Sequence, residues 1–296
     1  MAEKIEKRSL NVSVYIEVFN EEHRIEACLQ CFQWAKELVV FDKGSTDRTV
    51  ELAKKYATKL VIVPKTVASE NYKIWSQHLT CEWSMSITAS SLIHPAVVSK
   101  ISSMISNLNF EYDVIGLPYG MYAFGIRSHN SAWTADHKLA LIRRKALIIS
   151  DKLHEEIGFK TKSSLIVLTQ SPDEVFYHLT HESLDSFMDR ITRYAAYEAN
   201  WTFEANQGQN RGQVLRHSFY QIIRGLGILI LKRRFFIMGW DGWVMALAYL
   251  FNLSCNTIFL WERYRQGQSG REKYAEIRVK MCNLWDEEYS AREVKK

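Results

Sequence analysis

Proline and glycine are scarce in this chain, 4 and 13 among 296 residues. That argues against an all-β architecture, which needs a turn former every few residues. Cysteine is also sparse: five, an odd number, scattered at positions 28, 31, 81, 255 and 282. No disulfide framework follows from such a set, and reduced thiols in a cytosolic compartment are the expectation. Cys28 and Cys31 form a C-x-x-C, but no second pair follows, and the spacing is that of one helix face, so they read as core residues rather than zinc ligands. Met1 to Arg8 is charged and has no apolar stretch, so no signal peptide is expected. The N-x-S/T matches at Asn11, Asn200 and Asn252 then carry no weight. Repeats and low-complexity tracts are missing too. Apolar residues make up 47% and charged residues 24%, which is globular composition and excludes a disordered or collagen-like chain.

A long clean hydrophobic run is lacking as well. Phe235 to Trp261 is the most apolar region, yet Asp241, Asn252, Ser254 and Asn256 interrupt it. Its longest clear stretch, Gly242–Phe251, is too short to span about 30 Å of hydrocarbon. Trp240, Trp243 and Trp261 lie at its ends. Just before it, Gln207 to Arg234 holds Arg211, Arg216, Arg224, Lys232, Arg233 and Arg234 with no Asp or Glu, although the net charge is only +5. Cations beside tryptophans suit phosphate-bearing lipid headgroups, so residues 207–261 read as an in-plane anchor on an anionic membrane surface. A buried helical hairpin, with the cations on a solvated face, accounts for the same pattern. The expected organisation is a domain over 1–206 and a basic, apolar helical region over 207–296.

What is present in the first half is alternation of strands and helices. Val12, Val14, Ile16 and Val18 lie on one face of a strand, with Ser13, Tyr15 and Glu17 on the other. Asn20 is placed to cap a helix through Glu21 and Glu22, whose apolar stripe is Ile25, Cys28, Leu29 and Phe32. Leu38–Phe41 reads as a buried strand, then a turn Asp42-Lys43-Gly44-Ser45-Thr46-Asp47, a second helix with Val50, Ala53 and Ala57 inward, and a strand Leu60–Val63. A helix at roughly 70–79, a strand Trp83–Ile87, a helix opened by Pro95, strands near 113–117 and 139–143, and a helix over 183–206 complete the pattern. Such βαβ units imply a parallel sheet with ligands outside the carboxyl ends of its strands. Turn and cap chemistry explains Gly44, Ser45 and Asp47. It does not explain two strand-end acids, Glu21 and Asp42, facing one crevice.

From Asn11 to Pro64, a strand, N-E-E, a second strand and D-x-G-S-T-D-x-T resemble a family-2 glycosyltransferase, in the branch of lipopolysaccharide-core glucosyltransferase-like proteins. The His154-Glu155 dipeptide after Trp133…Asp136…Arg143-Arg144, the His178-centred stretch running to Arg193-Tyr194, and Gly239-Trp240-Asp241-Gly242 extend the resemblance over nearly the whole chain. It implies an α/β A-type glycosyltransferase fold, Rossmann-like with a mostly parallel sheet. It also implies a nucleotide-diphosphate sugar donor, a saccharide or lipid-linked saccharide acceptor of the cell-envelope type, and transfer with inversion. By the same resemblance Asn20, Glu21, Asp42, Gly44 and Ser45 hold the nucleotide, and Glu155, alone or with His154, is the base. No nucleic-acid partner is expected, because strand-end acids repel phosphate backbones. The expected location is the cytoplasmic face of a membrane.

The chain departs from that family where a divalent cation, Mg²⁺ or Mn²⁺, would bind. The strand Trp83–Ile87 should lead into Asp-Ala-Asp-Glu; here it leads into Thr88-Ala89-Ser90-Ser91. Neutral hydroxyls bind such an ion poorly, so no ordinary metal site is expected. Asn71-Tyr72-Lys73 stands where the family often has Gln, a basic residue and Asn; Ala140 replaces a common basic residue; and Lys43 follows Asp42 where a small or acidic residue is usual. Two readings remain. Either Lys43, Lys73, Arg143 and Arg144 neutralise the diphosphate without metal, or the fold persists without transfer, as a subunit that binds a nucleotide-sugar or a partner.

Overall fold

The computed structural model describes residues 6–64, 74–75, 77–127, 137–149, 157–159, 164–169, 173–265 and 270–293. They divide into two compact units, Met1–Ser186 and Phe187–Lys296.

In the first unit, β1 (Leu10–Val18) leads to α1 (Ile25–Cys31), β2 (Ala35–Asp42), α2 (Thr49–Lys54) and β3 (Lys59–Ile62). After β4 (Trp83–Ile87), β5 (Ser91–Ile93) and α3 (Pro95–Ile105) come β6 (Val114–Ala123), β7 (Ile126–Arg127), β8 (His137–Arg143), β9 (Leu147–Ile149), β10 (Ile157–Phe159), β11 (Leu165–Val167) and β12 (Phe176–Thr180). The main sheet runs β3-β2-β1-β4-β8-β6-β12-β5, with β11 and β7 also paired to β6. β1, β2, β3 and β4 are mutually parallel, whereas β8 is antiparallel to both β4 and β6. The α/β class is as expected, and the sheet is mixed. Its parallel half is the part built from βαβ units, where the connecting helix returns the chain to the same edge.

The alternation in β1 sorts side chains onto two covered faces. Val12, Val14, Ile16 and Val18 join Ile25, Cys28, Leu29 and Phe32 of the α1 stripe in one core. Tyr15 packs with Val39, Phe41 and Trp75 in a second. Pro95 opens α3, and the His94 ring nitrogen accepts from the Ala96 amide at 3.2 Å, satisfying one of the unpaired amides of that helix end. One expectation fails locally. Asn20 does not cap α1, which begins at Ile25 after Arg24 with no side-chain cap; Asn20 takes a left-handed φ of 55° and bonds elsewhere.

The second unit holds α4 (Leu184–Ala205), α5 (Arg211–Gly227), a π-helical continuation Ile228–Arg233, a short 3-10 turn Phe235–Met238, α6 (Gly239–Tyr264) and α7 (Gly270–Glu293). α5 and α6 form an antiparallel hairpin, joined by the Ser218 and Thr257 hydroxyls at 2.8 Å. The polar residues expected to interrupt the apolar run do not end the helix. Ser254 donates to the Leu250 carbonyl at 2.8 Å, and Asn256 donates to Glu198 of α4. Arg211–Arg233 and Phe235–Tyr264 are each long and apolar enough to cross a membrane by length and composition. Length therefore does not decide between spanning and lying in plane. Much of the hairpin's apolar surface is exposed, including Phe219, Ile223, Leu231, Trp240, Leu247 and Trp261.

Gly242 sits where a Cβ would lie 1.9 Å from the Phe235 carbonyl oxygen. Alanine is the better helix former, yet Gly242→Ala is expected to lower stability by about 1–3 kcal/mol through overpacking. Urea denaturation of the full chain checks this; equal or higher stability would show that the turn before α6 yields freely.

Candidate functional site

β1 and β2 end level with each other, Val18 opposite Asp42, so the turns that follow lie side by side at the carboxyl edge of the sheet. Each holds the other. Asn20 Oδ1 accepts from the Thr46 amide at 2.8 Å, and the Asn20 amide donates to the Ser45 hydroxyl at 2.9 Å. The Glu21 amide donates to the Thr49 hydroxyl at 2.7 Å and the Glu22 amide to Asp47 at 3.1 Å, while Glu22 accepts from the Arg48 amide at 3.1 Å. Burial works against the Asp47 charge, but hydrogen bonds from the Thr49 hydroxyl and amide and the Glu22 amide outweigh it and hold the carboxyl below its ordinary value.

Asp42 is buried at the last position of β2. Its Oδ2 accepts from the Gly44 and Ser45 amides, both at 2.9 Å. That turn needs Gly44, whose φ is +81°. The other carboxylate oxygen, Oδ1, is buried and has no hydrogen-bond partner among the described residues. A buried acceptor left open in this way suits a ligand N–H or hydroxyl. Glu21 is engaged already: its carboxylate accepts from Arg24 Nε at 2.9 Å and from Nη2 of the same side chain.

Of the four cations expected to meet a diphosphate, the structure describes Lys43, Arg143 and Arg144, and it separates the lysine from the two arginines. Lys43 lies at the crevice but is ion-paired with Glu17 of β1, a partner the sequence did not suggest. Arg143 and Arg144 lie at the opposite edge, since Arg143 is paired with Trp83, the first residue of β4. There Arg143 donates to the Phe110 and Tyr112 carbonyls at 2.8 and 3.2 Å and to Glu82, with its guanidinium 4.6 Å from the Trp83 ring centre. Arg144 donates to the Thr80 carbonyl at 3.4 Å. Neither arginine serves a ligand at the carboxyl edge, because β8 runs against the parallel strands and carries its far end away from it. Lys73, His154 and Glu155 lie outside the described residues, as do Trp133 and Asp136.

After β4 the three hydroxyls close on one another. Thr88 Oγ1 lies 2.9 Å from the Ser90 hydroxyl and 3.1 Å from that of Ser91, and the Thr88 amide donates to Ser91 Oγ at 3.1 Å. Ser90 and Ser91 are buried. Neutral oxygens already bonded to each other do not fit a divalent cation, which needs anionic oxygen ligands. Among the described residues no group of three or more His, Cys, Asp or Glu side chains could hold a metal. Beneath this turn the buried Cys28 thiol donates to the Thr88 carbonyl at 3.3 Å, and burial pushes its pKa well up. It is inert core, as its spacing implied.

Sequence reasoning missed Lys138, at the start of β8. Its ammonium lies 4.5 Å from the centre of the Phe176 ring, and burial lowers its pKa to about 8. Nearby, the Tyr119 hydroxyl and His178 Nδ1 are 2.5 Å apart. A lone lysine in a weak strand pattern gave no signal, because its surroundings come from β12 and α1, far away in the chain.

Comparison with known proteins agrees with the resemblance in the first third of the chain: residues 13–101 match the model of glycosyl transferase family 2. The chain is similar to an uncharacterized glycosyltransferase of Rickettsia typhi, 19% identical over 81% of this chain and 83% of that protein. Among solved structures it is similar to a Pyrobaculum calidifontis mannosyltransferase in complex with GDP-Man and Mn²⁺, 13% identical over 94% of this chain and 81% of the other, with a TM-score of 0.43. It is also similar to S. aureus TarS residues 1–349, 15% identical over 88% and 93% of the two chains, with a TM-score of 0.41. The first unit is an α/β, A-type glycosyltransferase-like fold.

The lacing of the two turns is testable through Asp47. Its folded-state pKa is lowered, so its stabilisation is present above the ordinary carboxylate pKa and fades as pH falls through the folded one. Asp47→Asn sets an amide against a backbone donor and is expected to cost about 1–2 kcal/mol at neutral pH. Denaturant melts from neutral to acid pH should show the gap to wild type closing as pH falls; a constant gap would mean the charge is not what matters.

Proposed function

We propose that this chain transfers a sugar, with inversion, from a nucleotide-diphosphate donor to a saccharide or lipid-linked saccharide of the cell envelope, as in lipopolysaccharide-core assembly. The observation that carries the reading is Asp42: buried, fixed by two backbone amides, and open at Oδ1. A nucleobase N–H or a ribose hydroxyl is the kind of donor that oxygen takes. The family match over residues 13–101 supports the same assignment. Around Asp42, the backbone of Gly44 and Ser45 and the side chains of Asn20 and Glu21 complete the nucleotide side. Transfer needs a base to deprotonate the acceptor hydroxyl, and Glu155, with His154, is assigned that role. No step is routed through a metal ion.

Residues 207–261 are assigned to the cytoplasmic face of an anionic membrane. The hairpin's exposed Trp240, Trp243 and Trp261 and its run of Lys and Arg support this placement. A second reading is a subunit that retains the nucleotide site without transfer. The hydroxyl cluster Thr88, Ser90 and Ser91 favours it, since losing metal ligands removes several kcal/mol of charge stabilisation in a metal-dependent transferase.

Asp42→Asn preserves an acceptor for the turn amides and replaces the open oxygen with a donor. Calorimetric titration with UDP- and GDP-sugars should show at least about tenfold weaker binding, and unchanged affinity would remove Asp42 from the site. Glu155→Gln should abolish product formation from a bound donor while leaving donor affinity intact; full turnover in that variant would take the base assignment away. Co-sedimentation with vesicles containing anionic lipid should retain the protein, and its absence from the pellet would rule out the anchor.

A further inference from the structure

The Thr88–Ser91 turn carries no acid, and Arg143 and Arg144 lie at the opposite edge of the sheet. Lys138 is differently placed. β8 pairs antiparallel with β4, Met85 opposite Leu141 and Trp83 opposite Arg143, so the beginning of β8 lies toward the end of β4 that leads into Thr88. Phe176, under the Lys138 ammonium, pairs with Ile93 of β5, the strand that opens with Ser91. The Cys28 thiol beneath the same turn is bonded to the Thr88 carbonyl. The start of β8 and the ring beside its lysine thus lie on strands that border the Thr88–Ser91 turn.

That ammonium has an aromatic ring beside it and no ion pair or hydrogen bond among the described residues. Cys28 supplies no counter-charge, because burial keeps its thiol protonated. An unpaired cation in an apolar setting is costly, and its pKa is lowered accordingly. An arriving anion would offset that cost, as oppositely charged ligands do at buried sites.

We propose that Lys138 is the resident cation of this site, meeting the anionic oxygens of the donor diphosphate beside the Thr88–Ser91 hydroxyls, where related chemistry would use a divalent ion. The inference rests on the nucleotide-sugar reading above. An ammonium carries one positive charge and three N–H donors, so it neutralises part of a diphosphate and bonds its oxygens directly. Phe176 packs beside it.

The test compares nucleoside with nucleoside diphosphate, first in EDTA and then, for wild type, with added Mg²⁺ or Mn²⁺. Uridine with UDP, and guanosine with GDP, are titrated calorimetrically into wild type, Lys138→Met and Lys138→Arg. Wild type should prefer one diphosphate over its nucleoside, and Lys138→Met should reduce that preference roughly tenfold to hundredfold while binding the nucleoside as before. Lys138→Arg should restore much of the preference, which a purely structural lysine would not require. Methionine removes an unpaired, half-buried charge, so this variant should melt no lower than wild type, and lost nucleoside binding together with a lowered melt would assign Lys138 to packing and overturn the proposal. An undiminished diphosphate preference in Lys138→Met, or a wild-type preference that appears only with added Mg²⁺ or Mn²⁺, also overturns it. Wild type that binds neither nucleosides nor diphosphates would instead bring down the nucleotide-sugar reading, and this inference with it.

Discussion

The level ending of β1 and β2 is the constraint on which the site depends. Because Val18 and Asp42 are paired, the chain leaves the sheet twice at the same height, and two short turns must occupy neighbouring space. Their polar groups satisfy one another: Asn20 with Thr46, Ser45 with the Asn20 amide, Asp47 with Glu22. With the turns locked, Asp42 cannot rotate away from the amides of Gly44 and Ser45, and its second oxygen is left open. A flexible pair of loops would collapse onto that oxygen; a cross-braced pair holds it open. This is preorganisation by backbone register.

How much of this was legible in the sequence differs by region, for physical reasons. The period-two pattern of β1, the stripe of α1 and the run Trp83–Ile87 appeared where they were read, because burial of local side chains decides them. Asn20 was read as a cap since its residue type suits one, but the nearer acceptors and donors of the neighbouring turn compete for it. The placement of Arg143 and Arg144 depends on strand direction. Sequence spacing shows that a strand exists and is silent on whether it runs with or against β4. Lys138 was invisible because the ring beside its ammonium comes from β12, a strand far away in the chain.

Composition and structure converge in the second unit from different directions. Polar residues scattered through an apolar stretch looked like interruptions, yet in a helix a serine can bond the carbonyl one turn back, and an asparagine can reach a glutamate on a neighbouring helix. The run therefore continues as one helix, with a surface of aromatic and aliphatic side chains turned outward. An exposed apolar surface of this kind calls for a partner or a lipid surface.

The thiols sort themselves by reach. Cys28, Cys81 and Cys255 are buried, Cys31 is half-covered, and Cys282 on α7 is exposed. Attack on a sulfur needs an accessible thiolate, so a gentle alkylating reagent meets Cys282 first and leaves the core cysteines intact. A fluorophore or spin label attached there would report on the C-terminal helix.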